Sequence, residues 1–255
     1  MSTEVPVYTA EQVRAAERPL LDEGVPLMQR AAGALSEIIR AELGTMKSGG
    51  AAPAWRALEP TVPGAPQEHR PRILVLAGGG DNGGDALYAA AGLTDVADVD
   101  VVLVGDRFHQ AAFTAAIGSG ARRIELDEAE HAGDAYAVLV DGVVGIGASR
   151  DARLRGAARS AVTTLLGWGE LERMPRVVAV DIPSGLHPDT GAADDAVLPA
   201  SVTVTFGAVK AGLVTGRGPD LAGAIVLVDI GLSDALASVE PVGEASVSRV
   251  VTAQR

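Results

Sequence analysis

The chain has 255 residues, 47% of them hydrophobic, enough for one sizeable core or two small ones. Twenty-one basic against 33 acidic side chains leave a net charge of −12, which speaks against electrostatic binding to nucleic acid or to an anionic membrane surface. There is no cysteine, hence no disulfide framework, thiolate nucleophile or Cys-ligated metal. The N-terminus lacks the apolar segment of a signal peptide, and no apolar run approaches the roughly 18 residues of a membrane span, so a cytoplasmic protein is expected.

In chain order, Thr9 followed three residues later by Gln12 has the form of a capping box opening a first helix. Leu27, Ala31, Leu35, Ile38 and Ile39 recur at three- and four-residue spacing and predict a second helix over about Val25–Leu43, with Gly44 as its stop. These elements form an N-terminal helical arm over residues 1–47. Residues 48–70 are rich in Pro, Gly and Ala without a period and read as a long loop. An α/β core follows over 71–232. Apolar runs at Arg72–Ala77, Val99–Val104, Ala137–Val140, Val177–Val180, Val202–Phe206 and Ala224–Val228 predict strands, with a weaker one at Arg123–Leu126. Helix-compatible segments lie at Gly84–Leu93, Arg107–Ile117 and Ala152–Leu166. Residues 233–255 read as a tail. Strands apolar on both faces imply a Rossmann-like, doubly wound, mostly parallel sheet with helices on both faces, in a single domain.

Ligands of such a sheet bind beyond the C-terminal ends of the strands, and three strand ends stand out. Gly78, Gly79, Gly80, Gly83 and Gly84 surround Asp81, Asn82 and Asp85 in a turn that opens a helix, a place favourable to an anion. A glycine-rich turn without a ligand is the other reading. Gly78, Gly80 and Gly83 fit a G-x-G-x-x-G spacing, but the acid expected about 20 residues later at the end of the next strand is missing; Asp98 and Asp100 lie at its start. A conventional NAD-dependent oxidoreductase is therefore disfavoured. Asp141 ends a second buried strand, where a carboxylate requires a partner or a cation; helix capping is its alternative role. Asp181 ends a third, followed by Pro183 and Ser184; it can serve as acid, base or counter-charge, or in an Asx-type turn. Ser184 lacks the glycine of a nucleophile elbow, and His187 reads as a surface or capping residue. Asn82, Asp141 and Ser184 form an oxygen-only set with one formal charge, which suits a hard monovalent cation.

Three ordered motifs, GGGDNGGDAL, VDGVVGIG and AVDIPSGLHPDTG, resemble those of the NAD(P)H-hydrate epimerase family, the YjeF N-terminal domain. Residues 24–32, 203–207, 210–213 and 228–232 extend the likeness over about residues 9–232, apart from the loop at 48–70. The resemblance implies interconversion of the R and S forms of hydrated NADH and NADPH, with a partner dehydratase, in a separate chain or a missing C-terminal domain, that acts on the S form. It implies one potassium ion per subunit, held by Asn82, Asp141 and Ser184, and a homodimer. It assigns Asp181 as the catalytic carboxylate. Substrate contacts fall on Asp81, Asn82, Gly83, Gly84 and Asp85, on Gly145, Ile146, Gly147, Ala148, Ser149, Arg150 and Asp151, and on Asp181 and Lys210. A salt bridge is the alternative for Lys210. The chain departs from the family pattern at Asp81, where Asn is usual, at Ala86, where Gly is usual, and at Ile146, where Thr is usual. The lost hydrogen-bonding group at Ile146 and the added charge at Asp81 each correspond to about 1–3 kcal/mol of binding. A catalytically inactive nucleotide-binding or dimerisation module is the alternative function.

Overall fold

The computed structural model describes residues 2–49, 70–132, 135–145, 152–170 and 174–254. The loop predicted at 48–70 falls almost entirely outside them, as do residues 146–151. An eight-stranded sheet runs in the order β11-β9-β7-β6-β5-β2-β3-β4, every neighbouring pair parallel. Its strands are β2 (Arg72–Ala77), β3 (Asp98–Leu103), β4 (Arg122–Arg123), β5 (Tyr136–Gly142), β6 (Arg176–Val180), β7 (Val202–Phe206), β9 (Ala224–Asp229) and β11 (Arg249–Thr252). A three-stranded sheet, order β10-β1-β8, joins β1 (Thr3–Tyr8), β8 (Val209–Lys210) and β10 (Gly243–Val247).

The period-2 alternation of the strands divides the core. Ile73, Val75, Val138, Val140, Val178 and Val204 face one side, against α1 (Ala10–Asp22), α2 (Leu27–Gly49), α3 (Asp81–Ala91) and α4 (Gln110–Gly118). Leu74, Leu76, Leu139, Val177 and Ala179 face the other, against α5 (Leu126–His131) and α6 (Gly156–Glu170). The helices thus cover both faces of the parallel sheet. On α2, Leu35, Ile38 and Ile39 are buried, each contributing roughly 1.5–3 kcal/mol of transfer free energy. A third cluster, with Val7, Val209, Leu227 and Val247, packs the small sheet onto the large one.

Several boundaries differ from the expectations. The arm is not purely helical: it begins with β1, which pairs antiparallel with β10 and parallel with β8. The predicted tail instead contributes α7 (Ser233–Leu236), β10 and the edge strand β11. These short strands owe their order to partners distant in sequence. Helix α1 has the predicted capping box, Thr9 with Gln12. Helix α2 runs past Gly44 to Gly49, so a glycine cost of about 1 kcal/mol does not end it. The weak strand at 123–126 is only β4, and Leu126 opens a helix. Helix α3 starts at Asp81, three residues earlier than predicted, after Gly80 in extended conformation. Helix α4 starts at Gln110, after His109 caps it by accepting from the Ala112 N–H at 3.1 Å.

The chain reverses its direction of winding between β2 and β5. The loops after β2, β5 and β6 therefore meet at one crevice.

Candidate functional site

Asn82 and Asp85 lie in the first turns of α3, both 7% exposed. No side chain caps that helix at Gly80, so its leading amides remain available to a ligand. The Asn82 carboxamide donates to the Val180 carbonyl and thereby links the ends of β2 and β6. Gly145 packs on the same carboxamide; a Cβ there would stand 2.0 Å from Asn82 Oδ1. A glycine is therefore required where the loop after β5 crosses the glycine-rich turn.

Asp141, at the end of β5, is fully buried. Its Oδ2 accepts from the Ser184 N–H at 2.9 Å, and its Oδ1 accepts from the Ser184 hydroxyl at 2.6 Å and the Val143 N–H at 3.4 Å. Ser184 Oγ in turn accepts from the Val144 N–H at 2.9 Å. Burial raises the Asp141 carboxyl above the usual range, opposed by these hydrogen bonds; among the described residues no cationic side chain contributes. Asn82, Asp141 and Ser184 thus offer a hard oxygen set around a buried carboxylate with no countercharge among the described residues. That fits a monovalent cation and not a soft one. Among the described residues there is no His, Cys, Asp and Glu cluster of the kind that holds zinc.

Asp181 follows β6 and is the only described non-glycine residue at positive φ, +65°. Its N–H donates to the Val204 carbonyl at 2.7 Å. All its described side-chain bonds fall on Oδ1, which accepts from Lys210 Nζ, from Thr205 Oγ1 at 3.2 Å and from the Phe206 N–H at 3.3 Å. Lys210, 1% exposed, also donates to the Phe206 carbonyl at 2.8 Å. The structure thus gives Lys210 the salt-bridge role: it stands behind Asp181 rather than among the residues lining the cleft.

That cleft measures about 700 Å³ with its open mouth, and Glu17, Leu21, Met28, Asp81, Asn82, Asp85, Asp181 and Phe206 are among its walls. Its acids interact. Burial raises the Asp85 carboxyl well above the usual carboxylate range, and the charges of Asp181, Asp81 and Glu17 push the same way against that of Lys210. Asp85 Oδ1 is buried without a hydrogen-bond partner. Burial also raises Glu17, with Lys210 opposing and Asp181 and Asp81 reinforcing.

The structure brings together Asp81, Asn82, Gly83, Gly84, Asp85, Asp141, Gly145, Asp181 and Ser184. The predicted contacts Ile146, Gly147, Ala148, Ser149, Arg150 and Asp151 lie outside the described residues. Asp100, one of the two acids considered for a ribose, is committed elsewhere: it accepts from Arg72, Arg122 and Tyr136 near the start of β3. His187 accepts from the Asp189 and Thr190 N–H groups and organises a turn. Sequence reasoning missed Glu17 and Thr205. Glu17 stands one turn after buried Val13 and beside buried Ala16, an acid bordering an apolar stripe, which was the available signal.

The sequence and the fold have relatives among known proteins. The family described as YjeF-related protein N-terminus matches residues 24–212. A Microbacterium testaceum protein named NAD(P)H-hydrate epimerase is 51% identical over 98% of this chain and 88% of its own length. A Mycobacterium tuberculosis protein named bifunctional NAD(P)H-hydrate repair enzyme is 39% identical over 88% of this chain and 41% of its own. The solved structure of yeast ynu0 shares the fold, with a TM-score of 0.63 at 17% identity over 85% of this chain and 86% of its own.

Proposed function

The chain belongs to the YjeF-related N-terminal family, and we propose that its cleft epimerises hydrated NADH and NADPH as a step in nicotinamide-cofactor repair. The reaction is an isomerisation. The observation that carries this reading is Asp181, at positive φ after β6, with its Oδ1 fixed by Lys210, Thr205 and the Phe206 amide and the residue lining the cleft.

The substrate bears a hydroxyl on the carbon next to the ring nitrogen. The nitrogen lone pair expels that hydroxyl as water and leaves an iminium-like cation, to which water returns from either face. Such a reaction is accelerated by fixed negative charge where positive charge develops, and by groups that protonate the departing hydroxyl and accept a proton from the entering water. Asp181 supplies the fixed charge and exchanges protons on the face it meets. With its bonds on Oδ1, its second oxygen is the one presented to a ligand. Burial and acidic neighbours push the Asp85 carboxyl well above the usual range, which favours the protonated form that donates a hydrogen bond to the substrate. Leu27, Met28 and Phe206 give the reduced ring an apolar surface. The substrate's pyrophosphate lies at the uncapped N-terminus of α3, with Asn82, Gly83 and Gly84 at its approach and Asp81 an unfavourable neighbour.

Asn82, Asp141 and Ser184 would hold potassium. When bound, the ion supplies a positive charge that neutralises Asp141 and ties together the loops after β2, β5 and β6. The substrate also meets the loop from Gly145 to Asp151. A homodimer in the cytoplasm, working beside a dehydratase for the S form, completes the proposal. The name of the bifunctional relative, of which this chain spans 41%, supports that pairing of activities.

Separating the R and S hydrates by chromatography after incubation tests the reading. The wild-type protein brings either pure epimer to the same mixture, and Asp181→Asn does so about 10²–10⁴-fold more slowly. Wild-type protein that leaves both epimers unchanged contradicts it.

A further inference from the structure

Epimerisation removes a hydroxyl from one face of the ring and returns one to the other. Each face needs a group that protonates a departing hydroxyl in one direction and deprotonates an entering water in the reverse. Asp181 serves one face only. Its backbone is held by Val204, and its Oδ1 by Lys210, Thr205 and the Phe206 amide, so it does not cross the cleft.

A second carboxyl is present on a different wall. Glu17 projects from α1 into the same cleft, whereas Asp181 stands at the end of the sheet. Glu17 is only partly buried, so it reaches both the apolar ring pocket and the solvent from which protons are replenished. The charged groups acting on it are Lys210 and Arg14, which favour its carboxylate, and Asp181 and Asp81, which favour its acid. Burial also favours the acid.

Resting on the epimerase reading above, we propose that Glu17 is the second acid–base group of the reaction and serves the ring face opposite Asp181. In one direction the Glu17 carboxyl gives its proton to the ring hydroxyl. The carbon–oxygen bond breaks, the nitrogen lone pair becomes the second bond of C=N⁺, and water leaves. A water on the other face then adds its oxygen to that carbon and gives a proton to Asp181, and the C=N⁺ electron pair returns to nitrogen. The two carboxyls have exchanged protonation states, which the reverse reaction or the solvent restores.

The test is oxygen exchange in H₂¹⁸O with each pure epimer. Wild-type protein inverts both epimers and labels both. Glu17→Gln is expected to lose inversion by at least about 100-fold. It still labels one epimer without inverting it, through loss and return of water on the Asp181 face. Asp181→Asn labels only the other epimer. Glu17→Ala is expected to regain inversion when formate is added, which a purely structural role does not predict. Near wild-type inversion by Glu17→Gln overturns the proposal. So does equal loss of labelling in both epimers by a Glu17→Gln protein that melts like wild type, or absence of formate rescue in Glu17→Ala that melts like wild type. Wild-type protein that neither inverts nor labels refutes the epimerase reading itself, and the proposal with it.

Discussion

The ammonium of Lys210 is bonded to the carboxylate of Asp181 across two sheets: Lys210 sits on β8 beside Tyr8 of β1, and Asp181 follows β6 of the large sheet. The small sheet, with the N-terminal strand at its centre, therefore fixes the charge environment of the cleft. Removing one member of a buried pair leaves the other uncompensated, typically at a cost of 3–5 kcal/mol. Lys210→Met is expected to lower stability by about that amount. The double variant Lys210→Met/Asp181→Asn should recover part of the loss. Urea unfolding of the two single variants and the double one checks this; a fully additive cycle would show that the pair is not coupled.

Asp85 predicts a pH-dependent stability. Burial raises its carboxyl well above the usual carboxylate range, so the folded chain keeps a proton that the unfolded chain releases as pH rises past about 4. Its contribution is therefore most favourable below that pH and falls as pH climbs toward the folded value. Asp85→Asn removes the penalty. The variant should gain melting temperature over wild type at pH 8 and little at pH 4, in the same potassium buffer, while losing epimerase activity. An equal gain at both pH values contradicts the assignment.

The proposed ion set has its own signature. Potassium bound only to the folded protein stabilises it by about 2.7 kcal/mol at a hundred times its dissociation constant. The melting temperature should rise with potassium chloride and not with choline chloride at equal ionic strength. Asp141→Asn should abolish the difference, because it removes the only formal charge of the set. A potassium effect that survives this substitution places the ion elsewhere.

Gly145 offers a steric test. A methyl group there would stand 2.0 Å from Asn82 Oδ1 and must displace the carboxamide or the loop. Gly145→Ala is expected to weaken both the potassium-dependent stabilisation and the activity while the far-ultraviolet spectrum stays unchanged. Wild-type behaviour would mean that the loop moves away from Asn82 without consequence.

Much of this site could be read from the chain alone because it uses strand ends. Branched runs such as Arg72–Ala77 and Val202–Phe206 appear as strands in the structure, and acids directly after buried strands are too costly to be idle. The small sheet was not legible. β1 and β10 are short and partly exposed, and their order comes from pairing more than 230 positions apart, as between Thr3 and Val247. Glu17 escaped for a related reason: its importance lies in where α1 docks, which is a tertiary fact. A salt bridge was one of two readings of Lys210, and its partner, Asp181, emerges only when β8 is placed beside β1 and the end of β6.

The central claim is that this cleft interconverts the two hydrates. The most direct measurement adds the protein to a mixture of R and S hydrates with an excess of S-specific dehydratase, in potassium and then in sodium buffer. Without an epimerase the S fraction converts quickly and the R fraction lags. The account predicts that the protein removes the lag, and does so better in potassium. A lag that persists in both buffers contradicts it, and makes the chain a binding module on the epimerase fold.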